Sequence, residues 1–308
     1  MLLDTGAIHA WHSPWQPEET ESDRRPECAW TILLPFFNER HFLAGTLESL
    51  AVQDQPLRLI LIDNASTDGS GEFAMAECRR LGLRFTLIRE PRAGKVHALA
   101  AGLDLVGTPF VATCDADTWY PADYLAQAGK LLEADDSAAA GAYFIRKGAP
   151  RRQQIAKAWH IMIVASLLPR QCHTGGAGQV FRTASLRSTG GFDASRWNYV
   201  LEDHEIMHRV VKTGSLEYGP GFWCMPSHRD RDRDSIRWTL AERLLYHAAP
   251  PQWRDRFFYE FLGPRLKARR LTSERMRERQ FQNAGPDSPF EGQNSGISSD
   301  ATPYPLCR

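Results

Sequence analysis

The stretch Pro109-Phe110-Val111-Ala112-Thr113-Cys114-Asp115-Ala116-Asp117-Thr118-Trp119-Tyr120-Pro121 decides the fold. Its apolar run reads as a buried strand. The run ends in two carboxylates one residue apart, followed by Pro121, a residue suited to the first turn of a helix. Acids at the carboxyl end of a strand sit where open α/β sheets bind ligands. Two carboxylates this close repel, so a positive partner is expected, and a hard divalent cation shared with phosphate oxygens meets the need. The same residues, taken alone, also fit a solvated turn with two capping acids.

Outward from this stretch, strand and helix alternate. Strands are expected at Trp30 to Phe36, Leu57 to Ile62, Arg84 to Arg89, Ala138 to Arg146 and Leu216 to Met225. Helices are expected near His41 to Val52, up to Gly82, at Val96 to Leu105, Tyr124 to Ala134 and 153 to 168, and from Glu202 through Val211. This order predicts an α/β fold with one mostly parallel sheet flanked by helices. Each strand ends in polar residues: Asn38 and Glu39, then Asp63, then Arg92 and Lys95, then Asp115 and Asp117. Neighbouring strands would bring these ends to one rim.

Composition narrows the class. The 308 residues carry zero formal net charge and 43% hydrophobic residues, enough for a proper core and unlike a basic nucleic-acid binder. Six scattered cysteines lack any Cys-x-x-Cys pair, which argues against structural zinc and a disulfide framework and fits a reducing cytosol. No leader-like apolar core opens the chain, and the apolar segment Ile155 to Leu168 holds Lys157 and His160 and is too short to span a bilayer. It reads as a buried or interfacial helix. Residues 1–27 read as a loosely ordered arm, 28–248 as the main α/β domain, 249–282 as a helical extension and 283–308 as a disordered tail. In the extension, Trp253, Phe257, Phe261 and Phe258, Leu262 have helical spacing. The segment Arg265 to Phe281 carries seven basic residues. Packing of the aromatic face is favoured there over contact with an anionic membrane.

The order of motifs resembles the family-2 inverting glycosyltransferases of the GT-A fold. The resemblance rests on Pro35, Asn38 and Glu39; on Asp63, Ser66, Asp68 and Gly69; on Gly94, Lys95, Ala98, Leu99 and Gly102; and on the Asp-x-Asp pair Asp115 and Asp117. Gly175 to Gly178, then Gly190 to Asp193, then Glu202-Asp203 continue it, so that it covers about residues 30–240. It implies transfer of one sugar, with inversion, from a nucleotide-diphosphate sugar (a UDP-sugar is favoured) to a hydroxyl on a carbohydrate or lipid-linked acceptor. Asp203 would be the general base and Glu202 would help place it or the acceptor. Asp115 and Asp117, with His228, would hold Mn2+ or Mg2+. Asp63 would meet the nucleobase, in a turn shared with Ser66, while Arg92 and Lys95 would face the diphosphate. Asp63 also fits an Asx-turn, and Asp203 a helix-capping acid. The expected place is the cytoplasm, with a peripheral contact at the inner membrane face left open.

Two departures matter. Ala100 stands where the family usually has Asn. Asp234-Ser235-Ile236-Arg237-Trp238 has the Arg-Trp of processive synthases without their Gln, which favours single-sugar transfer. The alternating acids and arginines from Arg229 to Asp234 fit either a mobile flap or a self-paired loop. No Gly-x-Gly-x-x-Gly follows the first strand, against a dinucleotide-binding dehydrogenase. A sugar-1-phosphate nucleotidyltransferase needs a Gly-rich basic loop that Pro35 to Arg40 does not supply. A haloacid-type phosphatase needs Thr or Val where Trp119 stands. The alternatives from other classes are a non-catalytic nucleotide-sugar binding module and a catalytic subunit that works only with a membrane partner.

Overall fold

The computed structural model describes residues 28–227 and 238–275. The expected arm at 1–27, His228, the charged segment at 228–237 and the expected tail lie outside the described residues.

The first strand, β1 (Trp30–Phe36), is buried on both sides, as a sequence apolar except for Thr31 demands. Alternate residues serve two cores. Leu33 packs with Ile60, Ile62, Leu99 and Phe181, while Ile32 and Leu34 pack with Leu47, Leu61, Cys78 and Val180. β1 lies parallel between β2 (Leu57–Asp63) and β4 (Phe110–Thr113), and β2 is parallel to β3 (Phe85–Arg89). Helices α1 (Arg40–Ala51) and α2 (Ser70–Leu81) cover one face, and α3 (Lys95–Asp104) the other. α3 lies so close to the sheet that a Cβ on Gly102 would stand 2.5 Å from Ile62.

The order β3-β2-β1-β4 places residues 89–95, 63–68, 36–39 and 113–117 along one rim. Beyond β4 the sheet changes polarity. β8 (Gln179–Arg182) runs antiparallel to β4 and to β6 (Ser137–Gly141), and β9 (Ser215–Glu217) closes the seven-stranded sheet in parallel with β6. Because β8 is reversed, its first residue, Gln179, pairs with Thr113, and the glycine turn before it arrives at the acid-tipped end of β4.

Two expected strands are each divided. Ala138 to Arg146 gives β6 and then β7 (Tyr143–Phe144), which belongs to a second, three-stranded sheet with β5 (Thr118–Trp119) and β10 (Trp223–Pro226). The turn Gly219-Pro220-Gly221 likewise separates β9 from β10, where a proline cannot continue a ladder. Pro121 does not begin a helix. Its carbonyl accepts from Tyr124 N, and α4 starts there (Tyr124–Leu131).

α5 (Arg151–Leu167) matches the expected apolar helix but is not buried: only Ala158 and Ile161 are enclosed. α6 (Thr183–Ser188) and α7 (Glu202–Val210) follow. In the C-terminal part, α8 (Leu240–Ala248) starts with a capping box between Thr239 and Glu242. A π-helical turn, Arg256–Leu262, leads into α9 (Gly263–Ala268). Phe257, Phe258 and Leu262 pack with Trp197, Tyr246 and Leu266 in a third core, so the aromatic spacing reports packing, while Trp253 remains exposed.

Candidate active site

The rim is built by backbone turns whose side chains bond one another. Asn38 adopts a left-handed backbone (φ 54°), and its Oδ1 accepts from Thr67 N at 2.8 Å. Its own N–H donates to Ser66 Oγ at 3.1 Å, and Glu39 N donates to Ser70 Oγ at 2.9 Å. Pro35, the penultimate residue of β1, is half-buried beside this turn. Asp63 is buried and accepts from Ser66 N at 2.8 Å, an Asx-turn, with Arg89 Nε at 3.9 Å from its other oxygen. Asp63 therefore fixes its own turn whatever else it binds.

Asn64, given no role in the sequence reading, is the central brace of the basic turn. It donates to Glu90 O (2.9 Å) and Arg92 O (2.7 Å) and accepts from Gly94 N (3.0 Å). Arg92 is chelated by Glu90 through Nε (2.9 Å) and Nη2 (2.8 Å), and the rest of its side chain is exposed. Gly94 has φ 120°, a region open chiefly to glycine, and Ser273 from the C-terminal part packs on its bare Cα.

Lys95 turns inward. Its Nζ donates to Asp115 Oδ1 at 2.5 Å and lies 3.9 Å from Glu202 Oε1. An ammonium from this chain thus lies beside Asp115. Burial opposes the charge on Lys95, yet Asp115, Glu202 and Asp203 outweigh it and hold the pKa above the ordinary lysine value. Asp115 N donates to Tyr120 Oη (3.0 Å), which donates to Ala177 O (2.8 Å), tying the acid turn to the glycine turn. Asp117 is buried. Ser227 donates to its carbonyl through N (2.7 Å) and to Oδ2 through Oγ (3.2 Å). Ser227 is the residue before His228.

Glu202 and Asp203 open α7 after Leu201, itself left-handed (φ 66°). Acids in a first turn are favoured by the helix dipole. Asp203 Oδ2 accepts from Gly176 N at 2.8 Å, and Oδ1 accepts from His204 N and from His204 Nδ1, each at 2.8 Å. The carboxylate partner fixes Nδ1 as the protonated ring nitrogen. Burial would raise the Asp203 pKa, but His204, Lys95 and these bonds hold it below the ordinary carboxylate range. Its neighbour goes the other way: burial, aided by Asp203 and offset in part by Lys95, pushes Glu202 up to about 7. Adjacent carboxyls whose environments drive their pKa values apart are suited to different tasks in one reaction.

The structure brings Lys95, Asp115, Glu202 and Asp203 together. It sets Pro35, Asn38, Glu39, Asp63, Ser66 and Arg92 along the rim beside them. Trp119 lies against Trp223, ring centroids 5.8 Å apart. Among the described residues no cluster of three or more His, Cys, Asp or Glu side chains is poised to hold a metal. Asp115 and Asp117 do offer an all-oxygen pair suited to a hard cation, and the Lys95 contact shows that this position already attracts positive charge.

Among curated proteins, the chain is 31% identical over 193 residues to an uncharacterized glycosyltransferase, YaiP, of Escherichia coli K12, covering 59% of this chain and 47% of YaiP. It is 27% identical over 108 residues to the undecaprenyl-phosphate 4-deoxy-4-formamido-L-arabinose transferase of Serratia proteamaculans, covering 33% of each chain. The chain thus spans less than half the length of these relatives. Among solved structures, a mannosyltransferase of Pyrobaculum calidifontis in complex with GDP-Man and Mn2+ superposes with a TM-score of 0.56 at 24% identity, covering 78% of this chain and 73% of that one. Residues 1–349 of Staphylococcus aureus TarS, in complex with UDP-GlcNAc, give 0.53 at 17% identity, covering 76% and 71%. These likenesses establish a shared GT-A fold. The family model described as Glycosyl transferase family 2 matches residues 31–190, more than half of the chain and the whole of the parallel rim, and the chain belongs to that family.

Proposed function

We propose that this protein transfers one sugar, with inversion, from a nucleoside-diphosphate sugar to an acceptor hydroxyl. The observation that carries the reading is Lys95 lying between Asp115 and Glu202, which draws the donor-side acids and the α7 acids into one pocket. The rim from Asn38 to Lys95 would take the nucleotide, with Asp63 toward the base and Arg92 and Lys95 toward the diphosphate. The glycosyltransferase relatives and the nucleotide sugars in the two structural neighbours support a donor of this class.

Asp203 is the general base. Its lowered pKa keeps it ionised at neutral pH, the form a base requires, and one of its four lone-pair positions is left beside the three bonds it accepts. His204 and Gly176 fix its direction. Glu202, with a pKa of about 7, can donate a hydrogen bond to an incoming hydroxyl and so position the acceptor. Asp115 and Asp117 would hold a divalent cation, with His228 as a third ligand, and the Mn2+ of the Pyrobaculum enzyme supports this. Such an ion neutralises charge developing on a diphosphate leaving group.

The test is Asp203→Asn. Release of nucleoside diphosphate from the donor should fall by about 10²- to 10⁴-fold. The melting shift given by the preferred nucleotide among UDP, GDP, dTDP and CMP with Mn2+ should persist. Wild-type turnover in the variant overturns the base assignment. Absence of any nucleotide-induced shift in the parent overturns the donor site.

A further inference from the structure

We propose that the outward face of α5, with the adjoining end of α8, docks this protein on an anionic lipid surface. Trp159, Ile163 and Leu167 follow one another at four-residue spacing and are 65%, 54% and 72% exposed. Of the nine large exposed hydrophobic residues among the described residues, seven lie in α5 or in the 240–253 segment. The two stretches are stitched together. Gln171 Nε2 donates to His247 O (3.3 Å), His247 Nδ1 meets Gln171 Oε1 at 2.7 Å, and Arg254 bonds the carbonyl of Arg170. A helix that buries Ala158 and Ile161 inward and still shows Trp, Ile and Leu outward departs from an ordinary surface helix.

Charge selects the occupant. The chain is neutral overall, yet residues 137–192 contain eight Arg and Lys and no Asp or Glu. Arg151, Arg152 and Lys157 are exposed and have no carboxylate partner among the described residues. Arg152 lies seven residues before Trp159 on the same helix, so the N-terminal end of the apolar stripe carries a cation. A second copy docked through this face by a twofold axis would bring these cations together. Lipid phosphates neutralise them instead. No described helix is long and apolar enough to cross a bilayer, and a 17-residue helix with this pattern suits the interfacial plane, where Trp is also favoured.

The test uses the full 308-residue chain with sedimenting vesicles of phosphatidylcholine alone or mixed with phosphatidylglycerol. Binding to the mixed vesicles should exceed that to the neutral ones by about tenfold or more and weaken as salt is raised. The Trp159→Glu/Leu167→Glu variant should lose about tenfold in binding. Arg151→Gln/Arg152→Gln should lose the preference for anionic lipid. Both variants should keep the melting temperature and the nucleotide-induced shift, a readout that depends on the proposed donor site and not on this face. No binding by the parent, equal binding to both vesicles, or parent-like binding by the double-Glu variant overturns the proposal. A dimer in light scattering that the double-Glu variant dissolves gives the face to a second copy and overturns it as well.

Discussion

Glu202 gives the most direct quantitative prediction. Its carboxyl titrates at about 7 in the folded chain against the ordinary 4.5, chiefly through burial. Between those values the folded state holds a proton that the unfolded state has lost. Stability therefore falls as pH rises from 4.5 to 7 and levels off above. At about 1.4 kcal/mol per pH unit, the loss comes to about 3.5 kcal/mol, and the one-fifth exposure of the side chain trims it to about 3 or less. Glu202→Gln mimics the protonated form and removes this term. With chelator present, the variant should be about 2–3 kcal/mol more stable than the parent at pH 8, or about 4–12 °C in Tm for a chain of this size. At pH 5 the gap should shrink below about 1 kcal/mol. Thermal unfolding of both proteins across this range measures it. A gap that is the same at both pH values, or a less stable variant at pH 8, refutes the reasoning. A stabilising substitution that also lowers turnover would mark Glu202 as a residue retained for its chemistry.

Three further substitutions probe other parts of the frame. Arg209 is buried and binds Glu205 through Nε (2.8 Å) and Nη2 (3.0 Å), so Arg209→Met should cost about 3–5 kcal/mol by denaturant melting; adding Glu205→Leu should recover much of the loss. Asn64→Ala removes all three bonds that brace residues 90–94 and should cost about 2–3 kcal/mol, with faster hydrogen exchange at the Gly94 amide as the local readout. Gly176→Ala would set a Cβ 3.2 Å from Asp203 Cβ and 3.4 Å from Lys95 Nζ. Turnover should drop by about tenfold or more, with a small change in melting temperature, because the acid is displaced and the fold is not.

Much of this was legible from residues alone, for a physical reason. β1, β2 and β4 are largely buried on both faces, so their apolar runs stand out, while the edge strand β3 is half-buried; the polar residues ending each run mark the rim. Asp115 and Asp117 could be picked out because paired acids at a strand end are conspicuous, whereas Glu202 and Asp203 stood out only through the order of family motifs. The antiparallel part was harder. Ala138 to Arg146 reads as one strand, but its two halves find partners in different sheets, and only the tertiary pairing to β8 and β10 separates them. Asn64 is not distinguished by sequence, because a turn rich in Asp, Asn and Ser offers many caps and does not say which reaches across to Gly94. His204 stood next to Asp203, and an imidazole beside a candidate base was a signal available in the sequence. Glu90 likewise precedes Arg92 by two residues, the spacing at which it chelates the guanidinium.

The contact between Ser273 and Gly94 joins residues 179 positions apart. Beside it, Ser273 N bonds Asn198 O (3.1 Å) and Glu274 meets Asn198 Nδ2 (3.0 Å). On a ribosome, the parallel strands emerge long before residue 273. At about 5–20 residues per second, some ten to thirty-five seconds of synthesis separate Gly94 from the side chain that packs on it. A nascent chain stalled in that interval can pair its first four strands while the basic turn stays uncovered. The proposed nucleotide site should therefore be completed late in synthesis, with the C-terminal segment acting as a latch.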